Sequence, residues 1–132
     1  MAIINQNTGE RFTEVVLVQS EASAVNVFSI PQNCVIQDVK AISEVAGVGA
    51  ANFILGDDDD DNGYIVAKDA TSAAGTVVGD DPTERGAYLY DATKKGSFSK
   101  TYTAAGKFLK LAMSTTQTTY IKLKVIITGF RY

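Results

Sequence analysis

Residues 56 to 65 read GDDDDDNGYI, five aspartates in a row followed by Asn62-Gly63. Adjacent like charges repel in any compact conformation, so this stretch must meet water, a cation or a basic partner. One chemistry that fits is a calcium loop. Asp58, Asp60 and Asn62 fall on the first, third and fifth positions of such a loop, Gly63 on the sixth, Ile65 on the eighth and Asp69 on the twelfth. Alternate spacing suits calcium because it turns successive oxygens inward, and the glycine allows the bend. Three departures weigh against it: the closing residue is Asp69 and not the longer bidentate glutamate, the ninth position is Val66, and no helical pattern flanks the run. The other reading is a solvated acidic β-turn without a specific ion, with Asn62-Gly63 supplying positive φ angles. The departures favour the turn, and no metal or cofactor ligand is assigned.

Other reactive groups are scarce. The chain has no histidine, no tryptophan and one cysteine, Cys34, so it can form neither an intramolecular disulfide, a Cys/His zinc cluster nor a histidine relay. Cys34 stands before the apolar run VIQDV with no histidine to activate it, which marks it as a small buried hydrophobe. Carboxylate pairs exist, but a glycosidase also needs a sugar-stacking cleft, and the tyrosines and phenylalanines fall mostly on strand positions. The segment GVGAAN lacks the Lys-Ser/Thr of a phosphate-binding loop and reads as a turn. No catalytic residue is assigned, and the expectation is that the protein is not an enzyme.

Charge is segregated along the chain. Residues 57 to 91 carry a net −8, residues 92 to 132 a net +8 and residues 1 to 56 a net −3, which together give the formal −3 of the whole. The lysines of the last third alternate with apolar residues, as on the wet face of a sheet. With a sequence pI near 4.8 and an acidic middle that repels phosphate, no nucleic-acid partner is expected. The opening MAIINQNTGE has no basic segment leading into an apolar stretch, and no window approaches the length of a membrane span. A soluble product of a cytoplasm, with no membrane partner, is therefore expected.

The elements that must carry these residues are strands. TYIKLKVIITGF sets Ile121, Leu123, Val125 and Ile127 against Tyr120, Lys122, Lys124 and Ile126, a period of two that buries one face. KFLKLAM does the same with Leu109, Leu111 and Met113, and the polar STTQTT between them suggests a hairpin over 107 to 129. Further strands are expected at 12 to 19, 24 to 30, 34 to 43, 50 to 55, 86 to 91 and 97 to 103, with turn signals between them and a long loop at 69 to 85. No segment shows a capped helical stripe. The fold class is all-β: an antiparallel β-sandwich, jelly-roll-like, of about eight strands. It forms one domain over residues 12 to 132, with residues 1 to 11 as an N-terminal arm.

The order of segments FSIPQNCVIQDVKAI, ANFILGDDDDDNGYIVAKDAT, GAYLY, KTYTAAGKFLKLAM and YIKLKVIITGFRY resembles small β-sandwich decoration, or cement, proteins of tailed bacteriophage heads. That resemblance covers most of residues 24 to 132. It implies a structural virion protein, made in the bacterial host cytoplasm, that binds the outside of the major capsid protein lattice as a homotrimer. Such trimers would join the acidic loop of one subunit to the basic strands of the next. The alternative is a receptor- or carbohydrate-binding module of a head fibre or tail. For the acidic turn, the expected outcome of calcium titration calorimetry is no saturable tight site. Micromolar binding lost on changing Asp58 and Asp60 to Asn would restore the calcium loop.

Overall fold

A computed structural model describes residues 9 to 20, 24 to 45, 52 to 69, 73 to 91, 93, 96 to 114 and 121 to 132. The strands in chain order are β1 (Glu10–Ser20), β2 (Ala24–Ile30), β3 (Cys34–Val45), β4 (Asn52–Gly56), β5 (Ile65–Asp69), β6 (Val77–Val78), β7 (Tyr90–Asp91), β8 (Gly96–Ser97), β9 (Lys100–Tyr102), β10 (Lys107–Met113) and β11 (Ile121–Arg131). One sheet runs β1-β11-β3-β6, with β9 also paired to β3, and the other runs β2-β10-β4-β5. All of these pairings are antiparallel. Leaving aside β7, β8 and β9, the first strand pairs with the last, the second with the second-last, and so inward. This nesting is the jelly roll, and it buries one face of each sheet against the other.

Alternation explains the core. Ile121, Leu123, Val125 and Ile127 of β11 and Leu109, Leu111 and Met113 of β10 are buried, while the residues between them are half-buried on the outer faces. Both apolar faces therefore point inward, and β10 and β11 lie in opposite sheets. The hairpin expected over 107 to 129 is thus not formed. Seven residues separate Met113 from Ile121. Extended chain of that length reaches roughly 20 Å, enough to cross the ~10 Å between packed sheets. Of that connection, residues 115 to 120 lie outside the described residues, as do residues 1 to 8 of the expected arm. Strand pairing is already present at Glu10, opposite Arg131.

The strand β3 changes phase in mid-course. Cys34 and Ile36 face the core, and then Val39, Ala41 and Ser43 do. The switch is a β-bulge: Ile36 pairs with Gly129 and Asp38 with Thr128, leaving Gln37 as the extra residue. Cys34 is fully buried, and burial pushes its thiol pKa up.

Two further expectations change. The loop over 69 to 85 contains β6, whose Val78 is buried in the core, and a short 3₁₀ turn at Pro82–Glu84. Asp81 caps that turn, accepting from the Thr83 backbone N–H at 2.9 Å. Conversely, only Tyr90 and Asp91 of the strand expected at 86 to 91 are extended and paired, because Leu89 and Tyr90 donate their backbone N–H groups to the Gly86 carbonyl in a turn.

The bulge also fixes a glycine. A Cβ on Gly129 would lie 2.2 Å from the Val35 carbonyl oxygen and 3.0 Å from the Phe12 ring, so backbone would have to move. In an open strand Gly→Ala gains about 0.5–1 kcal/mol, whereas overpacking costs about 1–3 kcal/mol. Gly129→Ala should therefore destabilise by about 1–2 kcal/mol net in urea melts. A variant more stable than the parent would mean that the bulge tolerates a side chain.

Candidate functional site

The aspartate run begins at the end of β4, where Gly56 is followed by Asp57, and Tyr64 N–H donates to the Leu55 carbonyl at 3.0 Å to close the turn. Inside, Asp57 N–H and Gly63 N–H both donate to the Asp60 carbonyl. Space is tight. A Cβ on Gly56 would sit 2.1 Å from the Asp60 carbonyl oxygen, and one on Gly63 would sit 2.4 Å from the Tyr88 ring. Gly63 is required for that approach and does not adopt positive φ. Among the described residues, positive φ occurs at Asn33, Gly9, Gly75, Gly79 and Gly106, which corrects the expectation for Asn62-Gly63.

The run is not uniformly solvated. Asp58, Asp59 and Asp61 are exposed, but Asp57 is 3% exposed. Its Oδ1 accepts from Tyr88 O–H at 2.9 Å and from the Asp59 and Asp60 backbone N–H groups at 3.0 Å each. Its Oδ2 accepts from Tyr102 O–H at 2.7 Å. With that proton committed, the 2.6 Å contact between Tyr64 and Tyr102 has Tyr64 as donor. A chain of donors thus runs from Tyr64 through Tyr102 to the carboxylate. Tyr64 and Tyr88 also meet edge to face at 5.2 Å, and the Lys100 ammonium lies 4.6 Å from the Tyr88 ring centroid and 5.8 Å from that of Tyr102.

Burial opposes the charge on Asp57, and it is the largest single influence. Hydrogen bonds from Tyr102, the Asp60 amide, Tyr88 and the Asp59 amide together outweigh it, leaving the carboxyl below its ordinary 3.8. The three phenols move the other way. Burial is the largest cause in each, and the Asp57 charge adds to it for all three. The Asp57 hydrogen bond and the nearby Asp59 and Asp60 charges add to it for Tyr88, and the Tyr64 phenol for Tyr102. All three therefore lie well above the tyrosine range and remain protonated donors. The four hydrogen bonds engage both carboxylate oxygens, and the arrangement works as a clamp that joins the turn to β9 and to the segment before β7.

The exposed acids are also engaged. Asp58 pairs with Lys110, and Asp59 lies 3.8 Å from Lys107, both lysines being on β10 of the same chain. Part of the acidic segment therefore meets part of the basic one within one subunit. For the calcium register, Asp60 Oδ1 accepts from the Asn62 backbone N–H at 3.3 Å, Ile65 is buried in β5, and Asp69 ends β5 opposite Asn52. Among the described residues, no three His, Cys, Asp or Glu side chains converge as metal ligands. Sequence reasoning missed Tyr64, Tyr88, Tyr102 and Lys100. The available signal was an aspartate directly after a glycine at a strand end, in a chain rich in tyrosine.

The clamp predicts an ordered series. Tyr102→Phe removes the donor to Oδ2 and the acceptor of Tyr64, both buried, and should cost about 2–3 kcal/mol. Tyr88→Phe, at a half-buried position that water can reach, should cost about 1 kcal/mol. Because the folded carboxyl binds its proton less tightly than the unfolded one, acid favours unfolding: the Asp57 contribution is full above about pH 4 and is lost as pH falls through the lowered value. Asp57→Asn should lower stability at pH 7 and flatten the acid limb. Denaturant melts from pH 2 to pH 7 test both, and an unchanged acid limb in Asp57→Asn would remove Asp57 from the acid response.

No family model matches the sequence, and no curated protein matches it. Among solved structures, a chain of the cyanophage Pam1 capsid asymmetric unit is 14% identical and aligns over 100% of this chain and 93% of that one with a TM-score of 0.64. A chain of the acidic stable capsid structure of Helicobacter pylori bacteriophage KHP30 is 11% identical and aligns over 93% of each chain with a TM-score of 0.53. At identities this low the likeness is one of fold, and it spans the jelly roll from end to end.

Proposed function

We propose that the protein is a structural component of a bacteriophage virion, and specifically a capsid decoration protein that binds the outside of the major capsid lattice. The observation that carries this reading is the alignment over 100% of the chain with a chain of a phage capsid asymmetric unit. The chemistry of the acidic turn is in keeping with it, since the carboxylate most removed from water holds backbone and phenols together. A decoration protein needs surface complementarity repeated over a lattice, and stabilises the shell by binding the assembled form alone.

Within this reading, copies group as trimers at three-fold positions of the lattice. Exposed ion pairs contribute about 0–1 kcal/mol each, so apolar contact supplies most of the adhesion and charge sets orientation. Residues 2 to 8 are proposed as an arm that reaches the capsid or a neighbouring copy.

Adding the purified protein to undecorated heads should give stoichiometric occupancy of the lattice and raise the temperature at which the heads release DNA. Deleting residues 2 to 8 should leave circular dichroism unchanged and weaken attachment. A few copies confined to a vertex or tail would instead favour the fibre or tail module, and failure to bind heads at all would sink the decoration reading.

A further inference from the structure

A long strand edge left open is a template for another chain, and proteins blunt such edges with short strands, bulges, proline or lysine. Among the described residues, three of the four edges of the two large sheets are treated in that way. The edge beyond β3 is covered by two short pieces, two-residue β6 and three-residue β9. The five-residue β5 has a register shift against β4, and β2 has a bulge against β10 and ends at Ile30, directly before Pro31.

The exception is β1. It has eleven residues, no proline, no lysine and no break in its register with β11, and β11 is its one strand neighbour among the described residues. Two of its outward side chains, Val15 at 57% and Leu17 at 53%, are the most exposed large aliphatic residues described. Val15 sits beside Ile126 of β11, extending the apolar surface inward from the edge.

We propose that the β1 edge pairs with β1 of a second copy, antiparallel about a two-fold axis through Val15. Two-fold symmetry perpendicular to the sheet reverses the strand while keeping its faces, so only registers whose paired numbers sum to an even value join like faces. Centring on Glu14 would set two carboxylates opposite each other. Centring on Val16 leaves Glu10 and Arg11 without partners in the strand. Centring on Val15 pairs all eleven residues: Glu10 with Ser20, Arg11 with Gln19, Phe12 with Val18, Thr13 with Leu17, Glu14 with Val16, and Val15 with itself. No like charges face each other, and Val15 and Leu17 of both copies form one apolar group. An isologous contact of this kind closes on itself and so removes the open edge. It goes beyond capsid decoration and is compatible with three-fold grouping, because a closed icosahedral shell also has two-fold positions.

The test uses the isolated full-length protein, so its outcome is independent of head binding. Directly opposed residues of an antiparallel pair have Cα atoms about 4.5–5.5 Å apart, within disulfide reach of about 4.4–6.8 Å. Under mild copper-phenanthroline oxidation, Val15→Cys should give a dimer band on a non-reducing gel, and the parent should give none because Cys34 is buried. Thr13→Cys alone should give little dimer, whereas mixed with Leu17→Cys it should cross-link. Val15→Lys, which sets two ammonium groups face to face, should halve the mass measured by light scattering, and Val15→Ile should preserve it. Equal cross-linking from Thr13→Cys and Val15→Cys would overturn the register. No Val15→Cys dimer, or a mass unchanged in Val15→Lys, would overturn the interface.

Discussion

A carboxylate taken out of water is tolerable only where donors replace its hydration, and Asp57 makes the segments around it meet that condition. Its donors come from three places in the chain: the turn's own amides, Tyr88 in the segment before β7, and Tyr102 at the end of β9. Each of these segments is weakly held by strand pairing, since β7 has two residues and β9 has three. The hydrogen bonds to one charge supply the order that a long ladder supplies elsewhere. Removing one donor therefore disturbs more than one bond, because the remaining charge stays buried.

The two glycines at the crossing serve the same constraint. Tyr88 N–H donates to the Gly63 carbonyl at 2.9 Å, and a Cβ on Gly86 would fall 2.1 Å from the Asn62 carbonyl oxygen. The two backbones touch directly, and that contact brings the Tyr88 hydroxyl within reach of Asp57. The bulge at Gln37 plays a comparable part in β3: it re-phases the strand so that Cys34 and Ile36 pair with β9 while Ala41 and Ile42 pair with β6. Tyr102, opposite Cys34, reaches the carboxylate from that position.

How much of this could be read from the sequence depends on the range of the interaction. Burial of alternate residues in β10 and β11 is a local property and was legible in KFLKLAM and YIKLKVIITGF. Which strands pair was not, because two inward-facing strands joined by a short polar segment fit either a hairpin or two facing sheets. The bulge showed only as a lapse in alternation around Gln37-Asp38. The acidic turn was legible as a turn, with most of its carboxylates exposed. Apart from its place directly after Gly56, nothing local distinguishes Asp57 from Asp58, its neighbour in a uniform run. The difference comes from phenols 31 and 45 residues away, and only the fold brings those together.

The solitary thiol gives the sandwich an internal clock. Cys34 is wholly buried at the start of β3, beneath the β9 pairing, and burial disfavours its reactive thiolate form. A bulky thiol reagent can reach it only when that corner of the fold separates. With one cysteine in the chain, the labelling trace has one origin, and its rate measures how often the β3–β9 edge opens in the native protein. On an assembled particle the same measurement would report, without any engineered probe, whether neighbouring contacts slow that opening.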